Sequence, residues 1–96
     1  MKLNQLLKEK REEILRICKK HGARYVRVFG SVARGEAGKA SDIDLLVEFE
    51  EGRSLLDHAA LLLELEQLLG CPVDLISERG IKPRIRQKIL EEAQPL

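Results

Sequence analysis

Residues 30–44 read Gly30-Ser31-Val32-Ala33-Arg34-Gly35-Glu36-Ala37-Gly38-Lys39-Ala40-Ser41-Asp42-Ile43-Asp44. What bounds this stretch sets the expected fold. Before it, Arg24-Tyr25-Val26-Arg27-Val28-Phe29 alternates and is rich in β-formers, so it reads as a strand that ends abruptly at Gly30-Ser31. After it, Asp42 to Phe49 reads as a second strand. Ile43, Leu45, Val47 and Phe49 then share one face, and Asp42, Asp44 and Glu48 the other. The small and charged residues from Val32 to Ser41 predict a short helical turn followed by a loop.

Working outward, Leu3, Leu6, Leu7, Ile14, Ile17 and Cys18 recur at helical spacing, predicting an amphipathic helix from about Leu3 to Lys20, stopped by His21-Gly22. Downstream, Ser54 with Asp57 three residues on fits a capping box, and the helix it opens ends at Gly70. Pro72 to Ser77 is a short third strand. Pro83 suits the first turn of a last helix, where a missing N–H costs nothing, and Ile81, Ile85 and Ile89 are spaced by four.

The chain has 96 residues, enough for one domain, expected to span 1–96 without a linker or repeat. Hydrophobic residues are 44% and charged residues 34%, a globular balance rather than a disordered one. The net charge is +1 and aromatics are 3% with no Trp, which argues against direct nucleic-acid binding over a basic or stacking surface. Cys18 and Cys71 lack metal spacing and read as small apolar residues. Cys18 and His21, three residues apart, make a lone pair with no partner pair, and His58 stands without other ligand types at metal spacing. The start lacks an apolar signal segment, and no stretch approaches the ~18 apolar residues of a membrane span, so a cytoplasmic location is expected.

Asp42 and Asp44, two apart on a strand, project from one face, where their charges repel unless a divalent cation sits between them. Alone they read equally as acids on a solvated edge. Gly30 permits a sharp turn with close backbone approach, and Ser31 can donate both N–H and hydroxyl to a phosphate; the plain alternative is an ordinary turn with a helix cap. Asp74 sits near the start of strand three, where it is either a third ligand or a charge guarding an edge. If all three acids converge, strands two and three are parallel with the Ser54–Leu69 helix as a right-handed crossover, and strand one is antiparallel to strand two. The expected architecture is an α/β (α+β) fold: a small mixed three-stranded sheet packed with about four helices.

Gly30-Ser31, ten intervening residues and then Asp42-x-Asp44 resembles the active-site motif of the DNA polymerase β-like nucleotidyltransferase superfamily, and within it the minimal nucleotidyltransferases (MNT). The likeness extends through Pro72-Val73-Asp74-Leu75 and Ile81-Lys82-Pro83-Arg84-Ile85-Arg86. It implies a nucleotidyltransferase fold, Gly30 and Ser31 on the nucleotide phosphates, and Asp42, Asp44 and Asp74 as the catalytic, Mg²⁺-binding carboxylates. Arg34 is a further candidate for triphosphate charge, with Lys39 behind it. The resemblance also implies an antitoxin that transfers AMP from ATP to a hydroxyl side chain, typically Tyr, of a HEPN-domain ribonuclease toxin, within a hetero-oligomer. The competing readings are a binding module that neutralises its partner by occlusion, and transfer to a small molecule or an RNA end.

Two further patterns bear on partners. On the second helix, Leu55, Leu62 and Leu69, with Leu56 and Leu63 beside them, form one stripe, and Leu61, Leu65 and Leu68 another. One sheet cannot bury both, so a partner surface is expected, and under occlusion Leu61, Leu65 and Leu68 would anchor it. Arg79, Lys82, Arg84, Arg86 and Lys88 form a basic run, either a solvated helix face or a contact for an acidic partner or RNA.

Overall fold

The computed structural model describes residues 3–33 and 43–96, with the side chains of Leu3, Asn4, Ser31 and Val32 outside that description. In chain order the elements are α1 (Leu3–Lys20), β1 (Ala23–Phe29), α2 (Gly30–Ala33), β2 (Ile43–Phe49), α3 (Leu55–Leu69) and β3 (Val73–Ser77). A 3₁₀ turn (Glu78–Gly80), α4 (Pro83–Glu92) and β4 (Gln94–Pro95) follow. The sheet order is β3-β2-β1-β4. β1 runs antiparallel to β2, and β2 runs parallel to β3 through the α3 crossover, as the convergence of the acids requires.

The sequence predicts three strands; the structure adds β4, which pairs Gln94 with Val28 and Pro95 with Arg27. A two-residue strand containing Pro carries no periodicity. It is held by its neighbours: the Leu96 N–H donates to Val26 O, and Arg11 Nε donates to Leu96 O at 3.0 Å.

Alternation along the strands sorts side chains into two layers. Ile43, Leu45 and Val47 join Val26, Val28, Val73 and Leu75 beneath α1 and α3, which contribute Leu7, Ile14, Cys18, Leu61, Leu65 and Leu69. On the other face Phe29, Leu46 and Ile81 pack with Ile89, Leu90 and Ala93 of α4 and its C-terminal end. Glu78 ties this second layer together, accepting from Arg27 Nη2 at 2.8 Å and from Arg86 Nη2 at 3.2 Å.

α3 begins and ends as its sequence dictates. The Ser54 hydroxyl accepts from Leu56 N at 3.2 Å, Asp57 Oδ2 accepts from Ser54 N at 2.9 Å, and Gly70 closes the helix in the left-handed conformation. The leucine stripes are assigned differently from the sequence expectation. Leu61 and Leu65 are fully buried and Leu68 packs against the core, so this stripe is not available to a partner. The exposed stripe consists of Leu55, Leu56 and Leu63, at 85%, 81% and 61% exposure. Leu69 is buried in the core, and Leu62, partly buried, packs against it.

Candidate functional site

The end of β1 and the starts of β2 and β3 meet at one edge of the sheet. Phe29, the last residue of β1, pairs with Asp44, and Asp44 pairs in register with Asp74. Neighbouring strands lie about 4.8 Å apart, so these two acids are adjacent across the parallel ladder. Ile43, Leu45, Val73 and Leu75 are buried under α1 and α3, so the intervening Asp44 and Asp74 face the opposite side, the one covered by α4. Asp44 is half-buried and Asp74 is exposed.

Gly30 completes this edge. Its φ is +72°, a conformation side chains disfavour. A Cβ here would also fall on the Asp44 carboxylate, with Cγ at 3.0 Å and the Asp44 Cβ at 3.3 Å. The absence of a side chain at position 30 therefore makes the space that Asp44 occupies. Ser31 lies in the first turn of α2, immediately beyond. Arg34, Lys39 and Asp42 lie outside the described residues.

The donor set fits a hard divalent cation: carboxylate oxygens from adjacent strands at an edge that stays open to further oxygen ligands. Among the described residues, no group of three His, Cys, Asp or Glu gathers as a metal site, and Asp42, the third acid of the motif, is not among them. The other candidate chemistry is excluded by environment. Burial pushes the Cys18 thiol up to about 12, so it is neither thiolate nucleophile nor ligand at neutral pH. His58 stacks at a tilt on Phe49, centroids 5.6 Å apart, at the far end of β2. His21 ends α1, with Nε2 3.3 Å from Glu64 Oε1. What sequence reading missed is the steric side of Gly30, which follows from the register of β1 on β2 and has no local signal.

An open sheet edge with in-register carboxylates beside a glycine-opened turn is a place where a phosphate-bearing ligand and a divalent cation could meet. Residues 11–96 match the nucleotidyltransferase domain family, and the chain belongs to it: it is a nucleotidyltransferase. It is 45% identical to the protein adenylyltransferase MntA of Thermococcus cleftensis over 88% of this chain and 90% of that protein. A solved structure described as a candidate minimal nucleotidyltransferase superposes with a TM-score of 0.90 at 60% identity, covering 100% of this chain and 97% of the other. The fold is shared, at 21% identity and TM-score 0.68, with a chain of a solved structure described as a tri-AMPylated Shewanella oneidensis HEPN toxin in complex with MNT antitoxin, covering 97% of this chain and 71% of that one. Among the described residues no helix is long and apolar enough to cross a membrane.

Proposed function

We propose that residues 1–96 form one minimal nucleotidyltransferase domain acting as a cytoplasmic, Mg²⁺-dependent protein adenylyltransferase. In this reading it is an antitoxin that transfers AMP from ATP to a side-chain hydroxyl, a Tyr, of a HEPN ribonuclease toxin. The observation that carries it is the in-register pair Asp44 and Asp74 beside Gly30, in a chain so similar to a protein adenylyltransferase.

Gly30 and the backbone of α2 take the triphosphate, with the Ser31 hydroxyl donating to it and Arg34 meeting its charge. Asp42, Asp44 and Asp74 would hold Mg²⁺, which when bound would neutralise the triphosphate and acidify the attacking hydroxyl. Asp74 lies on β3, the edge strand, so an acceptor can reach it from the open side. There it accepts the hydroxyl proton as the acceptor oxygen bonds to the α-phosphorus. The bond from the α-phosphorus to the bridging oxygen breaks, and pyrophosphate leaves. The acceptor hydroxyl is carried by the partner.

The test is incubation of the protein with its HEPN partner, Mg²⁺ and ATP, followed by separation and intact-mass spectrometry of the partner. The expected result is a gain of one or more AMP units. An unchanged mass across Mg²⁺ and ATP concentrations overturns the proposal.

A further inference from the structure

The far end of the sheet, where β2 and β3 finish and α3 begins, holds a cleft of about 360 Å³. Phe49, Leu55 and His58 give it apolar walls, and Arg53 and Arg79 stand at it. Arg53 is neutralised by Asp57 at 3.3 Å and Glu50 at 3.5 Å. Arg79 has no ion pair among the described residues, nor have Lys82, Arg84 and Lys88, the exposed cations that continue the band from the 3₁₀ turn along α4. Leu55, which lines the cleft, is the first of the exposed leucines of α3. An apolar socket between a leucine stripe and uncompensated cations fits one kind of occupant: a protein segment with an apolar anchor followed by carboxylates. RNA fits it less well, because a net charge of +1 leaves the chain without the basic surface that nucleic-acid binding draws on.

We propose that this cleft is the docking surface for the protein partner, and that it receives an acidic segment whose apolar side chain enters beside Leu55 while its carboxylates meet Arg79 and the cations beyond. The inference rests on the proposed function for the partner's identity. It adds that holding the partner and modifying it are done at opposite ends of β2. Asp44 and Phe49 are five residues apart, about 16 Å along the strand, so a docked partner leaves the nucleotide edge open.

The experiment measures affinity for the HEPN partner by titration calorimetry, with wild type, Leu55→Asp and Arg79→Glu, at low and high salt. Leu55 is exposed at the first position of α3, where an acid is favourable, so Leu55→Asp folds. Each variant is expected to bind at least ~10-fold more weakly, with the salt dependence shallower in Arg79→Glu, while Mg²⁺–ATP binding is unchanged. Wild-type partner affinity in both variants overturns the docking surface and leaves the proposed function standing. So does unchanged partner affinity with RNA binding lost in Arg79→Glu, which makes the band an RNA contact. No binding of the partner by wild type overturns this inference, and the partner's mass after incubation with Mg²⁺ and ATP then decides the proposed function separately.

Discussion

Position 30 answers to two constraints at once, a left-handed backbone and a carboxylate where a side chain would stand. Gly30→Ala should therefore cost both stability and activity. The backbone contribution is about 1–2 kcal/mol, which lowers the midpoint of thermal unfolding by about 4–8 °C per kcal/mol in a domain of this size. The displaced Asp44 should reduce nucleotidyl transfer at least ~10²-fold, visible in assays run well below the transition. Asp44→Asn makes the complementary case: a near-isosteric change that keeps the fold while lowering transfer by a similar factor. Full transfer by Gly30→Ala would show that Asp44 need not stand where the register puts it. Tyr25 carries the opposite signature. It has φ +53° in a β-bulge between Arg24 and Arg27, and it is 65% exposed, so a bulky ring holds a conformation that suits Asn. Tyr25→Asn should leave stability intact or raise it by up to about 1 kcal/mol, read from the urea midpoint.

Among the elements, α3 gives the sharpest contrast. Leu61→Ala should cost about 2–5 kcal/mol, because the side chain is fully buried between α1 and the sheet, whereas Leu56→Ala should change stability by less than about 0.5 kcal/mol. Equal effects would mean the two stripes are not divided as the structure divides them. The helix cap adds a pH dependence. The Ser54 backbone N–H holds the Asp57 carboxyl below its ordinary value of 3.8, with the Arg53 guanidinium assisting. A depressed folded value means the stabilisation is complete above the unfolded pKa and fades as pH falls through the folded one. Asp57→Asn should therefore unfold earlier than wild type at pH 7, and the gap should narrow once the pH drops below about 3.8. A gap that stays constant down to pH 2 would exclude the carboxylate as its source. The cap, the αL stop at Gly70 and the Pro83 start were legible because each is written within four residues of sequence. β4 was not, since its pairing is set by where α4 delivers the chain. The buried side of α3 was not either: a helix with leucines on both sides has little asymmetry to read, and the sheet's face decides it. At the site, the parallel pairing of β2 and β3 followed from requiring the acids to converge, while the register of Asp44 on Asp74 and the Asp44–Gly30 packing depended on tertiary contact.

For the whole molecule, the separation of the acidic edge from the cleft of Phe49, Leu55 and Arg79 allows the proposed transfer to be tested apart from the proposed docking. The exposed leucines support a second reading, neutralisation by occlusion, in which binding alone suffices. Transfer and occlusion differ in stoichiometry. If AMP transfer neutralises the toxin, each copy of this chain can act on many partners. A molar ratio of about 1:10 should then silence the toxin over time with Mg²⁺ and ATP present, and the silenced toxin should stay inactive after the chains are separated. Asp44→Asn, whose change lies at the opposite end of β2 from the cleft, should bind with wild-type affinity and fail to neutralise at that ratio. If occlusion neutralises, inhibition should need equimolar protein, ignore ATP, survive Asp44→Asn and vanish on separation. It should also be sensitive to Leu55→Asp at every ratio. The transfer reading therefore requires catalytic-ratio neutralisation that Asp44→Asn abolishes and chain separation does not reverse. A ribonuclease assay of the separated toxin, run across molar ratios with and without ATP, reads all of these outcomes, and stoichiometric, ATP-independent inhibition by Asp44→Asn would remove catalysis from the account of neutralisation.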